Sequence, residues 1–119
     1  MRWKVKATDE FETWIRELSL EALSDVAIAV DQLELRGPHL TFPKSSDVKS
    51  SRYSHMRELR IQHKGHPLRV LYAFDPLRTA VLLLGGDKTG DARWYKRNVP
   101  IADALYDAYL RHLSEEGLI

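Results

Sequence analysis

Between residues 58 and 84 the hydrophobic pattern leaves room for little except a β-meander. The 58–63 run alternates, with Leu59 and Ile61 on one side and Glu58, Arg60 and Gln62 on the other. Lys64-Gly65-His66-Pro67 reads as a turn. The 68–75 run alternates again, with Leu68, Val70, Tyr72 and Phe74 on one side and Arg69, Leu71 and Ala73 on the other. Asp75-Pro76-Leu77-Arg78 has aspartate and proline where a type I turn takes them. Residues 79–84 are Thr79 followed by a continuous apolar run, as an internal strand buried on both faces requires. Three such strands must bury at least one face, so the flanking chain has to supply the cover.

The N-terminal third fits that task. Residues 2–6 alternate, with Trp3 and Val5 against Arg2, Lys4 and Lys6, which predicts a half-buried edge strand added to the antiparallel meander. Thr8 caps a first helix whose apolar face is Phe11, Trp14, Ile15 and Leu18. Ser19 caps a second, with Leu20, Leu23, Ala27, Val30 and Leu33 in a stripe and Gly37-Pro38 as the stop. The two form a helical hairpin expected to cover the face of Leu59, Ile61, Leu68, Val70, Tyr72 and Phe74. Residues 38–53 show no hydrophobic period and read as a long irregular segment. Gly85-Gly86 reads as the end of the sheet, residues 87–97 as a polar loop, and Asn98 as the cap of a last helix with Pro100 in its first turn. The expectation is one α+β domain over residues 1–119, in the order β-α-α-β-β-β-α.

Composition narrows the chemistry. The chain has no cysteine, which excludes disulfides and thiolate metal sites. Its longest strictly apolar run, residues 80–84, is far too short for a membrane span, and MRWKVKATDEF lacks the apolar core of a signal peptide. A cytoplasmic protein without membrane association is expected. The net charge of +1 hides a polarity. Residues 44–70 hold Lys44, Lys49, Arg52, Arg57, Arg60, Lys64 and Arg69 against Asp47 and Glu58 alone, and Lys88, Arg93, Lys96 and Arg97 follow. Such a surface suits an anionic partner such as nucleic acid, or is a solvated face.

With the helical hairpin on one sheet face, the other presents Arg60 and Arg69. A strand arginine among apolar neighbours needs an anion: a phosphate, whose oxygens match the guanidinium fork, or Glu58 or Asp75. Cations and aromatics in the following loop, with Trp94 as stacking ring or core plug, could hold single-stranded nucleic acid. His63 and His66 flank a turn without an evident carboxylate ligand, which argues against zinc. Gly85-Gly86-Asp87-Lys88-Thr89-Gly90 lacks the spacing of a nucleotide-triphosphate loop. No metal and no cofactor is expected.

Glu58-Leu59-Arg60, Leu68-Arg69-Val70-Leu71-Tyr72, the buried strand, Gly85-Gly86-Asp87-Lys88-Thr89 and Val99-Pro100-Ile101-Ala102-Asp103 together resemble the RelE/HigB superfamily of type II toxins. The resemblance is closest to the HigB-like branch related to phage Gp49 proteins. It implies a RelE-like fold and a small endoribonuclease that cuts messenger RNA, commonly on the ribosome, by attack of the RNA's 2′-hydroxyl on the adjacent phosphate. It also implies a HigA-like helix-turn-helix antitoxin, through which the complex binds its operator DNA. Carried over by position, Arg69 matches a phosphate-binding arginine, Arg60 a basic position on the preceding strand, and Lys88 a basic residue after the last strand. Tyr95 falls where some relatives place a functional tyrosine. The chain departs from RelE at Thr89, where RelE has an arginine, and at Met56 and Glu58, where it has lysines. Arg93 is the candidate for the missing cation, and His55 or His66 for the missing base. His55, Lys64, His66, Lys96 and Arg97 are candidate RNA contacts. Two other readings stay open: a gyrase poison of the same fold, as in ParE relatives, and a non-catalytic partner of a helix-turn-helix regulator.

Overall fold

The computed structural model describes residues 2–119. Its elements run β1 (Val5–Ala7), α1 (Asp9–Arg16), α2 (Leu20–Arg36), a 3-10 turn (Gly37–His39), β2 (Ser45–Asp47), β3 (Arg57–His63), β4 (His66–Phe74), β5 (Ala80–Asp87) and α3 (Trp94–Glu115). The sheet order is β1-β5-β4-β3-β2. The expected meander is present: β3 pairs antiparallel with β4, and β4 with β5.

Both N-terminal helices start where their caps put them. Thr8 Oγ1 accepts from Phe11 N–H at 3.0 Å, and Ser19 Oγ from Ala22 N–H at 3.1 Å. Asp9, Glu10 and Glu12 sit in the first turn of α1, where the helix dipole favours negative charge. Helix α1 lies over β5 and α2 over β3. Their faces close on Leu59, Ile61, Leu68, Val70 and Tyr72, with Phe11, Val26 and Leu33 buried in the same cluster. The opposite sheet face carries a second core. There Leu71, Ala73, Val81 and Leu83 meet Val99, Ala102 and Tyr106 of α3, with Met56 and Val48 from the chain before β3.

Four expectations need correction. The N-terminal strand spans Val5–Ala7 rather than residues 2–6, and it joins β5 in parallel. Trp3 is spent on packing instead: its N–H donates to Glu34 O at 2.8 Å and its ring lies against Gly37. The 38–53 segment contains a fifth strand, β2, paired antiparallel with β3. Its sequence, Ser45-Ser46-Asp47, has no apolar alternation because its partner strand and the Tyr72 hydroxyl hold it. The turn after β3 is Lys64-Gly65 alone, and His66-Pro67, read as part of it, already belong to β4; the apolar run of β5 lies inside the sheet, between β1 and β4, as expected.

The fourth correction concerns Gly85-Gly86, which continue β5 to Asp87 instead of ending it. The two glycines admit a tryptophan on each face. A Cβ on Gly85 would stand 2.1 Å from Trp14 Cε3, and one on Gly86 would stand 2.6 Å from Trp94 Nε1. Trp94 is therefore a core residue and opens α3 four residues before Asn98. Asn98 lies inside the helix and returns its side-chain amide to Trp94 O at 2.8 Å, and Pro100 lies beyond the first turn. Among the described residues no helix is long and apolar enough to cross a membrane.

Candidate functional site

The register of β3 against β4 sets Arg60 directly opposite Arg69. Strand alternation puts Glu58 on the same face, two residues before Arg60. Gly86 is the β5 partner of Arg69, and Trp94 covers it. That contact fixes the start of α3, so Tyr95, the next residue, reaches back to the strands. Its hydroxyl donates to Glu58 Oε1 at 2.6 Å and accepts from Arg69 Nε at 3.3 Å. Ser46 on β2 donates to the other carboxylate oxygen, Oε2, at 2.7 Å. Lys88 Nζ stands 5.6 Å from the Tyr95 ring centroid, within cation–π range. Five elements thus meet at one spot: β2, β3, β4, the β5–α3 loop and α3.

Glu58 and Arg69 are each only 5% exposed, whereas Arg60 is half-buried. Arg60 Nη1 and Arg69 Nε both lie 3.5 Å from Glu58. Strong charge-assisted bonds run at about 2.7–2.9 Å, so these ion pairs are loose, and the short bonds of Glu58 go to hydroxyls. Arg69 Nη1 donates to Leu68 O at 3.0 Å. Its Nη2 makes no bond among the described residues, yet it is not sealed from solvent. Burial, reinforced by the bond to Glu58, raises the Tyr95 pKa, and Arg69 offsets only part of this. Tyr95 is therefore a neutral donor at physiological pH. Arg60, Arg69 and Lys88 set three cations against one carboxylate, which equips the spot to hold an anion. Glu58 is the carboxylate at this spot, and Tyr95 is the phenol that bridges it to Arg69.

Of the residues singled out in the sequence, Arg60, Arg69, Lys88 and Tyr95 come together. Arg93 precedes α3, exposed, with its backbone N–H on Asp91. Lys96 is exposed in the first turn of α3, and Arg97 is tied to Asp91 by a bond of 3.1 Å from Nη1. The other three lie elsewhere. His55 precedes β3 and bonds Tyr106 OH at 3.1 Å, against the middle of α3. Lys64 pairs with Glu21 of α2. His66 lies 3.0 Å from Thr89 Oγ1 and 3.2 Å from Asp87 Oδ2. It is paired with His63, so alternation turns it to the face opposite Arg69. Neither histidine supplies a base beside the arginines. Their neighbourhoods also differ from the carboxylate-free turn the sequence suggested, since His63 Nδ1 lies 2.6 Å from Asp25. Among the described residues no three His, Asp or Glu side chains converge as a metal site would require.

Sequence reasoning weighed Glu58 only as an ion partner of a strand arginine and did not single out Ser46. Glu58 carried a signal: it is one of two acids, with Asp75, on the arginine face of the alternating runs, and the one on the same strand as Arg60. Ser46 carried none, because it depends on a strand the hydrophobic pattern does not show.

Comparison with known proteins agrees with this architecture. Residues 13–107 match the family described as "Phage derived protein Gp49-like (DUF891)". The chain is 44% identical over 109 residues to "Putative toxin HigB3" of Mycobacterium tuberculosis, covering 91% of this chain and 92% of that protein. It is 33% identical over 109 residues to "Putative toxin HigB2" of the same organism, covering 90% of this chain and 54% of the longer relative. Among solved structures, the fold is shared with a chain of the toxin–antitoxin complex RelBE2 from Mycobacterium tuberculosis, at TM-score 0.54 and 17% identity, over 73% of this chain and 99% of that one. It is shared also with an arginine-to-alanine double mutant of the E. coli toxin RelE in the free state, at TM-score 0.55 and 10% identity, over 76% of this chain and 88% of that one. By family match and relatives, the chain belongs to the phage-derived Gp49-like family, as kin of HigB proteins, and its fold is that of RelE.

Proposed function

We propose that this protein arrests translation by cutting messenger RNA in association with the ribosome, and that a HigA-like helix-turn-helix antitoxin restrains it in the cytoplasm. The observation that carries the reading is the Arg60–Arg69 pair, set side by side with donors not consumed by Glu58. In the reaction, the RNA 2′-oxygen attacks the adjacent phosphorus as the bond to the 5′-oxygen breaks. A 2′,3′-cyclic phosphate results, and the departing 5′-oxygen takes a proton from solvent to become a 5′-hydroxyl. Arg60, Arg69 and Lys88 hold the phosphate and stabilise the charge that grows on its oxygens. Glu58 takes the 2′-hydroxyl proton, in the place where the histidines were expected to act. Tyr95 orients Glu58 and Arg69 at once. The kinship with HigB proteins, and the toxin–antitoxin complex among the structural neighbours, support the antitoxin partner.

The test is induction of the wild type, Arg69→Ala and Glu58→Gln in a bacterial host, with mapping of RNA 5′ ends. Wild-type induction is expected to produce new 5′-hydroxyl ends in messages. Arg69→Ala abolishes them. Glu58→Gln keeps RNA affinity while losing cleavage. Growth arrest without new ends, accompanied by a DNA-damage response, would replace this reading with gyrase poisoning.

A further inference from the structure

Phe42 stands out on the surface. It is 69% exposed, and it is the one aromatic among the large exposed hydrophobic side chains. The Arg60 guanidinium carbon lies 5.1 Å from its ring centroid. Phe42 is thus the next aromatic surface outward from the arginine pair, on the side away from Tyr95. Beyond it is a hollow of about 210 Å³ lined by Arg36, His39, Thr41, Phe42 and Lys44 among others, and by no carboxylate. Lys44 also lines the groove that holds Arg60. Cations therefore continue past the ring on both sides. Nothing in the packing of the two cores accounts for an exposed phenylalanine here, since neither cluster includes it.

We infer that Phe42 is a stacking platform for a nucleobase of single-stranded RNA, on a track that leads from Arg60 across the ring into the hollow of Arg36, His39 and Lys44. This rests on the proposed RNA-cleaving activity and names where a nucleotide flanking the scissile phosphate binds. The chemistry suits it. A base laid on an aromatic ring beside a guanidinium gains stacking and cation–π attraction, while neighbouring cations take the backbone phosphates. Arg60 then serves two neighbouring nucleotides, the scissile phosphate on one side and the stacked base on the other. The other two exposed positions flanking the ring, Thr41 and Pro43, give the strand room to pass.

The test compares wild type with Phe42→Ala, Phe42→Leu and Phe42→Tyr in two assays: fluorescence anisotropy with a labelled single-stranded RNA, and 5′-end mapping in cells. Phe42→Ala and Phe42→Leu are expected to bind RNA about tenfold more weakly or worse, with melting temperatures unchanged and a shifted cleavage profile. Phe42→Tyr keeps a ring and stays near wild type. Wild-type affinity and cleavage in Phe42→Ala would overturn the inference while leaving the nuclease standing. So would Phe42→Leu behaving as wild type, which would mean that apolar area suffices without a ring face. Loss of antitoxin binding with RNA affinity intact would reassign the ring to a protein interface. A wild type that neither binds nor cuts RNA would remove the proposed function itself, and this inference with it.

Discussion

The paired glycines of β5 give the sharpest perturbation, because each meets a different tryptophan on a different face. In a strand, Gly→Ala by itself restricts the unfolded chain and stabilises by about 0.4–1 kcal/mol. Neither glycine has the positive φ that would make alanine strained. The rings reverse the sign. A Cβ on Gly85 would be 2.1 Å from Trp14 Cε3, and one on Gly86 would be 2.6 Å from Trp94 Nε1. Carbon atoms in contact sit at about 3.5–4.0 Å, so an indole must move by roughly 1 Å or more in each case. Overpacking of this kind costs about 1–3 kcal/mol. For a chain of this size that lowers the melting temperature by about 4 °C per kcal/mol. Both variants are expected to lose stability in thermal and urea melts, but only Gly86→Ala should damage the site. Trp94 begins α3, and displacing it pulls Tyr95 from Glu58 and Arg69. RNA cleavage should fall in Gly86→Ala beyond what its unfolded fraction explains, and stay near wild type in Gly85→Ala at a temperature where both are folded. Pairing each alanine with a smaller partner, Trp14→Phe or Trp94→Phe, should return part of the lost stability. A Gly85→Ala protein more stable than wild type would refute the steric argument. Equal activity losses in the two variants would refute the link from Gly86 to Tyr95.

Tyr72→Phe removes the 2.6 Å bond that ties the buried Ser45 hydroxyl to the central strand; it should cost about 0.5–1.5 kcal/mol in urea denaturation and loosen β2. Asp103→Ala takes the acceptor from Ser51 Oγ at 2.5 Å and Arg52 N–H at 3.0 Å; limited proteolysis should then cut the 49–55 segment faster than in wild type. At alkaline pH the protein should weaken. Burial raises the Tyr106 pKa to about 12 and also raises those of Tyr95 and Tyr109. The unfolded tyrosines ionise near about pH 10, so above that the unfolded chain binds fewer protons and stability falls with pH. The contribution is complete below about pH 10 and is lost as pH rises through about 12 for Tyr106; urea midpoints measured on either side of that window check it.

The meander and both helix caps were legible because each rests on short-range rules. Alternation at Leu59, Ile61, Leu68, Val70 and Tyr72 named the inner face, and Thr8 and Ser19 sit where N-caps must. The pairing of Arg60 with Arg69 was not fixed by the pattern, because it requires a turn of Lys64-Gly65 alone, with His66 and Pro67 already in β4. What stayed hidden depends on contacts between distant segments. Gly85-Gly86 looks like punctuation until two tryptophans, one far upstream and one just downstream, are seen to need the space. Ser46 joins the site through a strand with no apolar residue. Trp94 looked ambiguous because its sequence neighbours are polar, yet the helix it opens turns those neighbours outward and the indole inward. The histidines misled for a related reason: closeness in sequence to Arg69 does not survive the alternation of a strand, which sends His66 to the other face.

The charges at the site argue against a purely structural role for it. Like charges directly opposite on neighbouring strands destabilise a sheet, and this fold places Arg60 opposite Arg69 beside its buried center. A cluster selected for stability would close each guanidinium on the carboxylate in short, paired bonds. Here the two carboxylate oxygens are taken one each by Tyr95 and Ser46, at 2.6 and 2.7 Å, and both arginines remain at 3.5 Å. Two neutral hydroxyls therefore hold Glu58 in its short bonds, and both guanidinium groups keep donors not closed on it. The repulsion that persists between the guanidinium groups is relieved when a further anion arrives. A phosphate diester brings one full charge and two free oxygens, enough to bridge both. The same arrangement holds the Glu58 carboxylate in place beside both guanidinium groups. In the proposed reaction, binding and proton transfer fall to different groups whose positions are set by one another, so altering Tyr95 should disturb both together.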